Sequence, residues 1–122
     1  MKPEEFNRAV EKGEFGPLFL LYGDEPYLVE RGVKKLLERA VDPGFRDFNL
    51  NVFYGNECKG EELFGAAQTL PMFAEMRVVL VKKGGELSAA AMEILLPYLQ
   101  DPCPSTCLIL QADNPRHAPA TV

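Results

Sequence analysis

Pro17-Leu18-Phe19-Leu20-Leu21-Tyr22-Gly23-Asp24-Glu25-Pro26-Tyr27-Leu28-Val29-Glu30-Arg31 changes its hydrophobic period half-way, and that change decides the fold. Pro17 to Tyr22 is an apolar run of strand length, closed by Gly23. From Glu25 to Ala40 the spacing becomes helical. Leu28, Val29, Val33, Leu36, Leu37 and Ala40 form one stripe, and Glu30, Lys34, Lys35, Glu38 and Arg39 take the other face. Asp24 is placed to cap this helix. Pro26 is tolerated in its first turn, where the backbone N–H has no intrahelical acceptor. A strand therefore feeds directly into a helix.

The same alternation continues outward. Three more apolar runs read as strands, Phe48 to Tyr54, Arg77 to Lys82 and Thr106 to Gln111. Helical spacing recurs from Gly60 to Leu70, ended by Pro71, and from Glu86 to Leu99, where Pro97 is expected to distort the last turn. A leading helix spans Pro3 to Lys12. Strands alternating with helices predict a three-layer α/β domain with a mainly parallel sheet and right-handed crossovers. The 122 residues, 47% of them apolar, suffice for one domain over 1–122 with one core. Periodicity is lost after Gln111, and the chain reads as a piece of a longer protein.

In such folds the turn after the first strand is the default phosphate site, because backbone N–H groups and a helix N-terminus converge there. Laid over G-x-x-x-x-G-K-[ST], Gly23 matches the first glycine, but Leu28, Val29 and Glu30 stand where Gly, Lys and Ser or Thr are needed. Asp24 and Glu25 set carboxylates where triphosphate charge would lie, and Pro26 removes a donor. A nucleotide hydrolase also needs a carboxylate at the end of a neighbouring strand. Here Val78-Val79-Leu80-Val81 ends in Lys82-Lys83, which would repel Mg2+. Gly23, Asp24, Glu25 and Pro26 thus read as a degenerate phosphate loop, a tight turn plus a cap, with no nucleotide expected.

Composition excludes other chemistries. A net charge of -5 argues against a strong DNA grip by this segment alone, so DNA contact is expected only within a larger assembly. Cys58, Cys103 and Cys107 lack zinc spacing and imply neither a disulfide framework nor a metal site. His117, the single histidine, has no local nucleophile or carboxylate partner. No catalytic constellation and no cofactor site is read. No run approaches the roughly 18 to 20 apolar residues of a bilayer span, and the start lacks a signal peptide, so a cytoplasmic protein without membrane contact is expected.

Several segments in this order resemble the delta subunit of the bacterial DNA polymerase III clamp loader. They are residues 19–28, the strand from Phe48 to Phe53, the stretch from Leu70 through Pro71, Met72, Phe73, Ala74, Glu75 and Met76 to Val81, and Leu95 to Leu99 followed by Thr106 to Leu110. The resemblance implies a P-loop-NTPase-like fold, the N-terminal AAA+ sheet domain of a subunit that does not bind ATP. It further implies sheet order 5-1-4-3-2, with the fifth strand missing here and the first left at an edge open to self-association. The partners implied are the sliding clamp (the beta subunit) and other clamp-loader subunits, within a DNA-directed DNA polymerase holoenzyme whose ATP hydrolysis lies in other subunits.

In that family the sheet domain inserts apolar side chains from the end of a helix into a pocket on the ring, which it helps to open. The matching positions are Leu70, Met72 and Phe73. From the residues alone core packing of Met72 and Phe73 is the ordinary reading, because large apolar residues are usually buried; the resemblance reverses it. Lys34, Lys35 and Arg39 alternate with Glu30 and Glu38 and read as a solvated face, with contact to DNA or a partner as the other reading. The alternative function is a flavodoxin-like small-molecule or regulatory binding domain that uses the turn at Gly23.

Overall fold

A computed structural model describes residues 3–13, 16–22, 26–41, 44, 46–72, 74 and 76–112. Helix α1 (Pro3–Lys12) leads into strand β1 (Leu18–Tyr22), helix α2 (Pro26–Ala40), a single-turn helix α3 (Arg46–Asn49) and strand β2 (Leu50–Tyr54). Helix α4 (Gly60–Gln68), strand β3 (Arg77–Lys82), helix α5 (Ala89–Gln100) and strand β4 (Thr106–Ala112) complete the order. Pro26 opens α2, the position where a missing N–H costs nothing.

The four strands are all parallel in the order β1-β4-β3-β2. The expected order, without its fifth strand, is therefore observed among the described residues, with β1 at one edge. Strands β3 and β4 are central, buried on both faces, and read as continuous Val, Leu and Ile runs for that reason. On one face Phe19, Val78, Leu80, Cys107 and Ile109 pack under Val10 of α1 and Val33 and Leu36 of α2. On the other, Val79, Val81, Leu108 and Leu110 pack under Leu63 and Ala67 of α4 and Leu95 and Tyr98 of α5. Alternate residues of each strand supply the two faces, giving three layers. Close approach of the last two helices depends on Gly60, where a Cβ would lie 3.0 Å from the Ala91 Cα.

Four expectations need correction. Phe48 and Asn49 belong to the turn of α3 rather than to β2. Leu28 is not part of the buried stripe of α2 but 60% exposed. It falls in the row of Gly32, Lys35 and Arg39, whose polar members serve α1, while Val33 and Leu36 pack on the sheet and Val29 is buried. Helix α4 stops at Gln68, since Thr69 is already extended; Pro71 disfavours a helical residue before it. Helix α5 begins three residues later than the spacing suggests, because Gly84–Glu86 form a 3-10 turn and the Ser88 hydroxyl caps the helix by accepting from the Ala91 N–H at 3.0 Å.

Candidate functional site

Parallel strands give the sheet two chemically distinct ends. At the C-terminal end, the turn of Gly23, Asp24 and Glu25 lies outside the described residues, but its flanks are in view. Val29, at the position of the P-loop lysine, is buried. Glu30, at the Ser or Thr position, receives a hydrogen bond from Gln111 Nε2 at 2.7 Å and lies 4.0 Å from Lys82 Nζ. Gln111 lies one residue before the end of β4 and Lys82 ends β3, so a carboxylate, an amide N–H and an ammonium from three elements meet. Among these residues neither the lysine nor the strand-end carboxylate that hold triphosphate and Mg2+ in P-loop proteins is present.

At the opposite end, α4 delivers Leu70 and Met72 to the surface, 72% and 52% exposed. Phe73, their expected companion, lies outside the described residues. Behind these apolar side chains the polar groups are buried and heavily bonded. Arg77, 8% exposed, opens β3 and donates from Nε to the Ala66 carbonyl at 3.0 Å and from Nη1 to the Phe48 carbonyl at 2.9 Å. Its Nη2 donates to Asn51 Oδ1. A cation against the last carbonyls of a helix is also favoured by the helix dipole. Burial lowers the Arg77 pKa from its ordinary value, yet a guanidinium keeps its charge in proteins. The Ala67 carbonyl accepts from Tyr98 Oη at 3.4 Å, and the Gly65 carbonyl from Thr69 Oγ1 at 2.8 Å. The end of α4 is thus held by side chains rather than by a glycine cap.

Asn49, 2% exposed, secures the other side of the segment. Its Nδ2 donates to the Met72 carbonyl and its Oδ1 accepts from the Met72 N–H, both at 2.6 Å. The register Leu50↔Val78 places Asn49, the last residue of α3 before β2, beside Arg77 at the start of β3. Neither residue was singled out as a site residue from the sequence. An arginine opening an otherwise apolar strand is a signal that could have drawn notice to Arg77; Asn49 carries none, because its partner is main chain.

The basic residues of α2 divide. Arg39 donates to the Val10 carbonyl at 3.2 Å and the Glu11 carbonyl at 2.6 Å, capping α1, and Lys35 lies 3.6 Å from Glu11. Lys34 stays exposed beside a groove whose other charged residues, Glu30, Glu38, Arg46 and Lys82, carry both signs. Such a rim does not concentrate positive charge as a nucleic-acid groove does. The three cysteines are free thiols. Burial pushes Cys107 up to about 12, whereas a contact with Ser105 lowers Cys103. Among the described residues no cluster of His, Cys, Asp or Glu could hold a metal, and no helix is long and apolar enough to cross a membrane.

Comparison with known proteins agrees with this architecture. The family described as DNA polymerase III, delta subunit, matches residues 19–120. The chain belongs to that family. DNA polymerase III subunit delta of Bacillus subtilis (strain 168) is 34% identical over 113 residues, an alignment covering 86% of this chain and 33% of that protein. The solved Bacillus subtilis DNA clamp loader delta protein superposes with a TM-score of 0.82 at 31% identity, over 91% of this chain and 35% of the other. This chain spans about a third of the length of these delta-family relatives. A gamma subunit-related DNA polymerase III protein of Thermotoga maritima shares the fold alone, with a TM-score of 0.68 at 16% identity, covering 95% of this chain and 40% of that one. Together with a RuvB of Thermotoga maritima (TM-score 0.61, 15% identity, 94% of this chain and 38% of that one), it places the delta-family sheet within the AAA+-like α/β fold.

Proposed function

We propose that this chain is the N-terminal sheet domain of a clamp-loader delta subunit, one that takes no part in ATP hydrolysis and binds the sliding clamp through Leu70, Met72 and Phe73. The observation that carries the reading is the exposure of Leu70 and Met72 on a segment whose own backbone is hydrogen-bonded to buried side chains. Exposed large apolar side chains on a fixed support are the usual ingredients of an interface hot spot. Leucine and methionine also suit an apolar pocket, methionine by adapting its shape.

In this reading the domain performs no chemistry. Its contact favours an opened ring only to the extent that the clamp binds it better open than closed. Other clamp-loader subunits supply ATP hydrolysis, and DNA is met within the assembled complex in the cytoplasm. The meeting of Glu30 with Gln111 and Lys82 supports the absence of nucleotide, and family membership favours the clamp over a flavodoxin-like ligand. The test is the affinity of the chain for its cognate clamp beside that of a folded Met72→Ala, Phe73→Ala double variant. A loss of about 2 kcal/mol or more is expected. Equal binding by the folded variant places the contact elsewhere.

A further inference from the structure

The apolar segment does not stand out because it is loose; it is fastened from within, and Asn49 is its main fastener. Both main-chain groups of Met72 are taken by the one side-chain amide of Asn49, each at 2.6 Å. With its N–H and C=O turned inward, the residue presents its thioether outward, half exposed. Upstream, Arg77 grips the Ala66 carbonyl at the end of α4 and the Phe48 carbonyl of α3, the turn that carries Asn49. The stretch from Thr69 to Met72 is therefore anchored on both sides, and Pro71 removes further freedom between the anchors.

We infer that Asn49 is a positioning residue for the clamp contact, which it serves by holding the Met72 backbone in its binding geometry before the partner arrives. This rests on the clamp reading above. The physical reason is entropy. Each backbone residue that must be ordered on association costs conformational entropy, and a segment already ordered avoids that cost. An asparagine fits the task because a single amide offers one donor and one acceptor a short distance apart, matching the two groups of one peptide residue. Alanine offers neither. Aspartate keeps the acceptor for the Met72 N–H but sets a second carboxylate oxygen against the Met72 carbonyl until it is protonated.

The experiment measures the affinity of the chain for its cognate sliding clamp with the native sequence and with Met72→Ala, Asn49→Ala and Asn49→Asp, each checked for folding, across a range of pH. Asn49→Ala is expected to bind about tenfold more weakly or worse and to exchange its Met72 amide proton faster, with the apolar side chains all still present. Asn49→Asp is expected to bind weakly at neutral pH and to regain affinity as pH falls, because a protonated carboxyl again donates to the Met72 carbonyl. Burial at a 2% exposed position raises the pH of that recovery and the neighbouring Arg77 guanidinium lowers it, so the profile is read for the presence of recovery rather than for its midpoint. The native chain serves as the pH reference, and a merely structural role would produce no such recovery. If Asn49→Ala does not fold, Asn49→Asp and its pH profile decide. Weak binding by Met72→Ala with native-like binding by the Asn49 variants, or a pH-independent deficit in Asn49→Asp, overturns the inference while leaving the clamp reading intact. Unchanged binding by Met72→Ala overturns both.

Discussion

The two ends of this sheet reverse the usual placement of polar and apolar groups. At the C-terminal end, where P-loop proteins hold phosphate, Val29 is buried, and the exposed Glu30 is occupied by Gln111 and Lys82 from the same chain. At the N-terminal end the charged and amide groups are inside, as Arg77 and Asn49, while Leu70 and Met72 are outside. On the proposed reading, one fold lacks a ligand site at one end and carries a contact surface at the other with the same strands between. The difference lies in what the polar groups serve. Glu30 is met by Lys82 and by Gln111 Nε2, with Gln111 Oε1 left buried and unbonded, whereas Arg77 and Asn49 spend theirs mostly on main chain, which fixes the shape of the surface.

The contrast breaks most easily at Arg77. Arg77→Ala leaves the Ala66 and Phe48 carbonyls and the Asn51 side chain short of a buried donor. It is expected to cost about 3 kcal/mol or more in chemical denaturation; a loss below about 1 kcal/mol would mean that these contacts organise little. Next in size is Val29→Lys, which restores the P-loop lysine in sequence but places an ammonium in the core. Stability should fall by about 2 to 4 kcal/mol, and ATP with Mg2+ should raise the melting temperature of neither this variant nor the native chain. A nucleotide-dependent rise would restore the C-terminal end as a ligand site. Glu30→Gln removes a charge from a largely exposed pair and should change stability by at most about 1 kcal/mol. Such a contrast with Arg77→Ala distinguishes compensation at the surface from anchoring in the interior.

The smallest effect concerns the thiols. Cys107 is pushed up to about 12 by burial, so it should label only as the chain unfolds, while Cys103, lowered chiefly by its hydrogen bond with Ser105, labels first. The sign of the linked stability follows. An unfolded thiol ionises before the buried one, so the Cys107 contribution is whole below the ordinary thiol pKa and is lost as pH rises through about 12. Time-resolved alkylation of the native chain checks the order.

The layer architecture was legible because its causes are local. Uninterrupted runs such as Val78 to Val81 and Leu108 to Leu110 need both sheet faces covered, and Val33 and Leu36 of α2 supply part of one cover. The expectation of a degenerate phosphate loop rests on the sequence itself, where position 29 holds a valine in place of the motif's lysine. Leu28 was misread because period alone does not reveal where a helix overhangs its neighbours. Phe48 and Asn49 were taken for strand because the apolar alternation runs on through a turn that only their tertiary contacts define. For the candidate site, Leu70 and Met72 come from family likeness, since for Met72 the residues alone favour burial. Asn49 escaped notice because a side chain that bonds the backbone 23 residues away leaves no periodic trace.

Hydrogen exchange along the chain, free and with its cognate sliding clamp, tests the central claim most directly, because it reads both ends of the sheet in one measurement. The account predicts slowed exchange around residues 69–72 and along the adjoining turn of α3, with residues near Glu30, Lys82 and Gln111 unchanged. Protection confined to the Glu30, Lys82 and Gln111 end, or absent from both ends under conditions where the clamp is bound, would contradict it.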